Sequence, residues 1–148
     1  EKALIDEIKK LNDNPSIHGI IVQLPLPDHI NEKNALDAVA FEKDIDGFHP
    51  QNIGCVAMRG REPHFIPCTP EGITIMLDTI DVDLTGKKAV VLGRSNIVGV
   101  PIALLLLKRN CTVTICHSKT KNIEQEIQSA DVLVAAIGQP NFVKGEWV

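Results

Sequence analysis

Ala89-Val90-Val91-Leu92-Gly93-Arg94-Ser95-Asn96-Ile97-Val98-Gly99-Val100-Pro101 passes from an unbroken apolar run, through a turn bracketed by glycines, into a second apolar stretch ending at Leu107. A short apolar run closed by glycine describes a strand buried on both faces, as in parallel sheets covered by helices. Pro101 to Leu107 reads as the helix that follows. Gly93 permits a tight turn, and Gly99 permits close approach where the helix begins. The helix start presents unpaired N–H groups and a positive dipole end, both suited to phosphate. Ser95 stands where the second glycine of a GxGxxG loop belongs. The loop alone therefore does not separate a dinucleotide site from a plain strand-to-helix turn.

Downstream, Thr112 to Cys116 is a second strand, Ile123 to Gln128 a short helix and Val132 to Ala136 a third strand. This alternation predicts a βαβαβ unit, the first half of a Rossmann-type doubly wound parallel sheet. NAD-specific units usually end the second strand in an acid that bonds the ribose 2′-hydroxyl. Here the strand runs into Cys116-His117-Ser118-Lys119-Thr120, with no acid before Glu124. A carboxylate would repel a 2′-phosphate, whereas Ser118, Lys119 and Arg94 would attract one, and arginine can fork onto its oxygens. NADP is favoured; the competing explanation is a solvated basic turn.

Upstream, Leu4, Ile8 and Leu11 fall at helical spacing, with Ile5 widening the stripe. Gly19 to Leu24 is nearly continuous apolar sequence and predicts a buried parallel strand, ended by Pro25 and Pro27. Within it Gln23 is polar, and burying an unpaired amide costs roughly 1–3 kcal/mol. Gln23 therefore needs partners, either backbone groups or a ligand at the strand's carboxyl end. A short helix follows, with Asn31 as cap and Ala35, Leu36 and Val39 inward. Residues 42–69 read as one long loop, and such loops are usually functional. They contain Lys43-Asp44-Ile45-Asp46-Gly47-Phe48-His49-Pro50, whose acids suit either a surface turn or the paired donors of an aminopyrimidine edge. Thr69-Pro70 predicts a helix start, with Ile73, Met76, Leu77 and Ile80 as its apolar face. The expected division is 1–82 and 83–148.

Composition excludes several classes. Of the 148 residues 44% are hydrophobic and 23% charged, an ordinary globular balance, and the net charge is −4 with no basic face. Nucleic acid is not an expected partner. The longest apolar stretch, Ile102 to Leu107, is too short to span a membrane. Cys55, Cys68, Cys111 and Cys116 have no metal-motif spacing and read as reduced structural thiols. Cys111 and Cys116, on one strand at an odd offset, cannot bridge each other. The five histidines show no metal spacing, and each reads as structural. No metal site is expected.

Five ordered blocks carry a resemblance. Val22-Gln23-Leu24-Pro25-Leu26-Pro27, Lys43 to Pro50, Pro67-Cys68-Thr69-Pro70, Gly93-Arg94-Ser95 with Val98-Gly99-Val100-Pro101, and Cys116 to Thr120 resemble the bifunctional methylenetetrahydrofolate dehydrogenase/cyclohydrolase family. The resemblance implies part of an N-terminal folate-binding α/β lobe with its linker helix (1–82), followed by an incomplete NADP-binding Rossmann domain (83–148). The implied activity is NADP-dependent oxidation of 5,10-methylenetetrahydrofolate and hydrolysis of the methenyl product to 10-formyltetrahydrofolate. By the same resemblance Val22, Gln23 and Leu24 line the folate site, with Gln23 against the family's catalytic lysine. Asp46 holds the pterin ring; Asp44, two positions away in a loop read as extended, points elsewhere, so Asp44→Asn is expected to be the milder change. Gly93, Arg94, Ser95 and Ser118 bind NADP. A cytoplasmic homodimer acting on tetrahydrofolate derivatives is implied.

Two departures accompany it. The family's tyrosine and catalytic lysine belong to a helix preceding the region that matches Glu1. No tyrosine occurs, and Lys2, Lys9 and Lys10 do not sit in that motif. The Pro-Gly-Gly-rich folate loop and later Rossmann strands have no counterpart either. The expectation is a piece whose parent is an enzyme and which is inactive alone. The alternatives are a non-catalytic NADP-binding or assembly module and another two-domain dehydrogenase, against which the Gln23 and Asp46 blocks weigh.

Overall fold

The computed structural model describes all 148 residues and divides into two compact units, Glu1–Cys68 and Thr69–Val148. The helix expected to close the first lobe thus lies with the second unit.

In the first unit, α1 (Lys2–Asp13) buries Ile8 and packs Leu4 and Leu11 on a core of Ile20, Val22, Ala35 and Val39. Lys43 stops this helix. Its ammonium donates to the carbonyls of Leu11, Asn12 and Asn14 at 2.9, 2.6 and 2.8 Å. It thereby satisfies acceptors that a helix C-terminus leaves open. The short helix α2 (Glu32–Asp37) has the expected cap, with the Asn31 side chain accepting from Asn34 N at 3.2 Å.

Two expectations change here. Gly19 to Leu24 is not a regular strand but an extended segment with one parallel bridge, Ile20 to Asp44. Its burial alternates, with Ile20 and Val22 inside and Ile21 57% exposed. With a single bridge, only alternate residues are covered. Residues 42–69 are not all loop: a 3₁₀ turn (Phe41–Lys43) precedes helix α3 (Pro50–Ala57). Pro50 sits at the first helical position, and the His49 imidazole Nδ1 accepts from Gln51 N at 3.2 Å. An imidazole cap is an unfamiliar start signal, and Gly54 lowers helix propensity.

In the second unit, α4 (Cys68–Asp78) begins before the expected Thr69-Pro70 start. It buries Pro70 and Thr74, while Met76 and Ile80 of the expected apolar face are exposed. The strands β1 (Lys88–Leu92), β2 (Thr112–Cys116) and β3 (Val132–Ala135) form a parallel sheet ordered β2-β1-β3. Helices α5 (Gly99–Lys108) and α6 (Ile123–Gln128) connect them. Val90 and Leu92 point to the face covered by Ile127 of α6 and by Trp147. Ala89 and Val91 point to the opposite face by pleat. The doubly wound class holds, but β3 returns to the far side of β1 instead of continuing beyond β2. Ala89 to Leu92 are almost wholly buried, so β1 needs both edges paired. β2, with Thr112 and Ile115 exposed, forms an edge.

All four cysteines are free. Cys111 lies just before β2 and not within it, so strand alternation does not set its face relative to Cys116. Burial pushes the Cys111 and Cys116 thiols above their ordinary pKa, which leaves both unreactive.

Candidate functional sites

In an open α/β sheet the ligand crevice lies outside the carboxyl ends of the strands, where the winding reverses. The order β2-β1-β3 puts that point between β1 and β3. Gly93 stands there with φ +110°, and a Cβ built on it would lie 2.3 Å from the Ala136 carbonyl oxygen. Gly93 N donates to Cys116 O at 2.8 Å, tying the turn to the end of β2 as well. A Cβ on Gly99 would meet Gly93 O at 2.4 Å. The backbone therefore folds into a cradle that side chains would fill, as a dinucleotide loop requires.

Ser95 Oγ accepts from Val98 N at 3.1 Å and from Gly99 N at 3.2 Å, gathering the amides where α5 begins. Its hydroxyl hydrogen remains to donate. Beside this loop, a cavity of about 210 Å³ is lined by Leu92, Cys116, His117, Ser118, Ile123, Ile137, Gln139 and Phe142. It takes residues from the C-terminal end of β1, the end of β2 and the segment after β3. Arg94 is exposed and does not line the cavity. Ile137, Gln139 and Phe142 went unread in the sequence, because no strand pattern says which side of β1 the third strand takes.

In the first unit the segments through Ile20 and Asp44 are parallel at their one bridge, after which the second turns at once, Gly47 N donating to Asp44 O at 3.3 Å. Val22 is buried, Leu24 half-buried and Gln23 exposed. Gln23 needs no buried partner, contrary to the argument from a buried strand; its amide nitrogen donates to Leu24 O at 3.0 Å.

The two loop acids differ sharply. Asp44 is 5% exposed and accepts from Phe48 N, His49 N and Asn52 Nδ2 at 3.2, 2.8 and 2.8 Å. Buried Asn52, which sequence reading missed, accepts in turn from His64 N and Phe65 N at 2.8 and 3.2 Å. Gly47, φ +70°, lies so close to the 65–67 backbone that a Cβ would approach Phe65 O to 2.8 Å. Asp46 sits half-buried in this frame, and its carboxyl takes no part in the network. Burial, and secondarily the charge of Asp44, hold its pKa above the ordinary carboxylate value. The folded state thus keeps the Asp46 proton to higher pH than the unfolded chain, so stability falls as pH rises through the folded pKa. Asp46→Asn should stabilise the protein at neutral pH, and the gain should vanish below about pH 4, where the unfolded carboxylate is protonated. Urea unfolding at both pH values checks this; a gain independent of pH would contradict it.

No group of histidine, cysteine and acidic side chains could hold a metal ion, and no helix is long and apolar enough to cross a membrane.

Comparison with known proteins now adds identity to geometry. Residues 67–148 match the family model for the NAD(P)-binding domain of tetrahydrofolate dehydrogenase/cyclohydrolase, and residues 1–46 match that for its catalytic domain. The whole chain aligns at 55% identity with 41% of the chloroplastic bifunctional protein FolD 4 of Arabidopsis thaliana. It aligns at 52% identity with 51% of the bifunctional protein FolD 2 of Geobacter sulfurreducens. The chain thus spans about half the length of the curated relatives it matches. Among solved structures, the Trypanosoma brucei FolD complexed with NADP cofactor and inhibitor superposes with a TM-score of 0.94 at 42% identity. That match covers 99% of this chain and 50% of that one. A cradle at the switch point, a half-buried carboxylate outside its loop's hydrogen-bond network, and family matches over both regions lead to one conclusion: the chain belongs to the tetrahydrofolate dehydrogenase/cyclohydrolase family.

Proposed function

We propose that the protein containing this chain oxidises 5,10-methylenetetrahydrofolate with NADP and hydrolyses the methenyl product to 10-formyltetrahydrofolate. The observation that carries the cofactor choice is the end of β2, where exposed Ser118 lines the cavity, exposed Lys119 follows it in the turn, and no acid occurs before Glu124. Gly93, Arg94, Ser95 and Ser118 hold NADP in this reading, and the cofactor when bound supplies the hydride acceptor. Gly93 allows its close approach, the Ser95 hydroxyl offers a donor while its oxygen holds the amides at the start of α5, and Arg94 with Ser118 takes the 2′-phosphate. The lobe before α4 serves folate and the unit Thr69–Val148 serves NADP. Val22, Gln23 and Leu24 line the folate site, and Asp46 accepts the pterin edge. A cytoplasmic homodimer completes the reading.

Arg94→Ala in the whole protein should weaken NADP by roughly 1.5–3 kcal/mol, the range for a charge-assisted contact, with NAD barely changed. Titration calorimetry with both cofactors tests this, and equal losses would remove the assignment. Gln23 is expected to orient the lysine that the family places upstream. A base of tuned pKa matters most when water is the nucleophile. Gln23→Ala should therefore depress hydrolysis more than dehydrogenation, by about tenfold or more. Unchanged ratios of the two rates would leave Gln23 without that role.

A further inference from the structure

The turn leaving β2 is held by its own side chains. Thr120 Oγ1 accepts from His117 N at 2.8 Å, and Thr120 N donates back to His117 O at 2.8 Å. Between these two ties the His117 imidazole Nδ1 accepts from Lys119 N at 3.2 Å. An acceptor side chain bonded to the amide two residues on is the geometry of an Asx turn, a task usually given to Asn or Asp. With its Nδ1 lone pair engaged, the neutral ring carries its proton on Nε2. The two residues between the fastened ends, Ser118 and Lys119, are left exposed at the tip.

We propose that His117 is a positioning residue for cofactor specificity: its imidazole holds the 117–120 turn so that Ser118 and Lys119 present one rigid face to the 2′-phosphate. The inference rests on the NADP reading above and deepens it. Aspartate would supply the same turn, but its charge would stand next to a dianionic group. Histidine gives the acceptor without the charge. An ordered donor pair loses less freedom on binding than a flexible one, and only the phosphorylated cofactor uses that pair.

The test is titration calorimetry of NADP and NAD against the whole protein and three variants. His117→Leu, which lacks an acceptor, should bind NADP about tenfold more weakly while NAD changes less than about twofold. His117→Asn, whose oxygen restores the turn, should return NADP affinity to within about threefold of the parent. Should the leucine variant fail to fold, His117→Gln decides, because its acceptor lies one bond too far out and should lose the NADP preference alone. Equal weakening of both cofactors by leucine or glutamine would reduce His117 to a folding role and overturn the proposal. Failure of His117→Asn to restore NADP in a folded protein would also overturn it, pointing to direct ring contact with the ligand. A parent protein that binds NAD as well as NADP would instead remove the cofactor reading, and this inference with it.

Discussion

Gly93→Ala should destabilise the second unit by about 2–6 kcal/mol, since a left-handed non-glycine backbone and a backbone clash each cost of the order of 1–3 kcal/mol. The methyl group would stand 2.3 Å from Ala136 O and 3.0 Å from Ala136 C, atoms that no rotamer change can move. Those atoms sit where β1 and β3 finish pairing: Ala136 N donates to Leu92 O at 2.8 Å. Relief requires prying the two strands apart at the point where the crevice opens. Gly138→Ala is the control, because Gly138 has φ +62° but nothing within 4 Å of its built Cβ. It should cost only about 1 kcal/mol, the backbone share alone. Chemical denaturation of both variants separates strain from clash. Similar losses for the two would mean that the Ala136 carbonyl yields to the added methyl at little cost.

The second large effect concerns Asp46. An ionised carboxylate accepts two parallel hydrogen bonds in a plane, and a pterin edge offers two adjacent donors. Asp46→Asn replaces one acceptor with a donor, setting donor against donor. Folate binding in the whole protein should weaken by about 2–4 kcal/mol, because a buried ligand group is left unpaired. NADP affinity should stay within about twofold, since the change lies outside the dinucleotide unit. Asp44→Asn distinguishes the two carboxylates in a way the sequence did not anticipate. Its three bonds to Phe48, His49 and Asn52 make it the frame of the loop, so its loss should lower stability first and folate binding only through that. For folate binding Asp44→Asn is still expected to be the milder change, and for stability the larger one. Folate titration beside urea unfolding reads both: an Asp46→Asn protein that binds folate normally would end the pterin assignment.

Legibility followed periodicity. Thr112–Cys116 and Ile123–Gln128 have the bounds their patterns predict, since each is a run whose apolar spacing fits one element. The segment 19–24 misled because a continuous apolar run says nothing about how many neighbours are present to pair with it. Helix α3 stayed hidden because its cap is an imidazole and its interior holds a glycine. The loop acids were visible as a pair, but only the donors arriving from Phe48, His49 and Asn52 tell them apart. Gly93 announced a turn, whereas the reason for glycine there, the Ala136 carbonyl, comes from a strand pairing that sequence does not reveal. Strand order is a long-range property, and local pattern is silent on it.

The strand order also has a kinetic consequence. β1 sits in the middle of the sheet yet is made first. One partner, β2, follows within a short crossover, but the other edge waits for β3: the link from Lys88 N to the Asp131 carboxylate spans 43 residues. Pairings that distant are slow to form, because loop closure is paid before the contact rewards it. During that interval Ala89-Val90-Val91-Leu92, apolar and free of charge, presents a bare edge to any other nascent copy. Chains emerging from the ribosome at about 5–20 residues per second would carry this edge for seconds before β3 covers it. Crowded synthesis, more than heat, is then the condition under which this sheet is most exposed to misassembly.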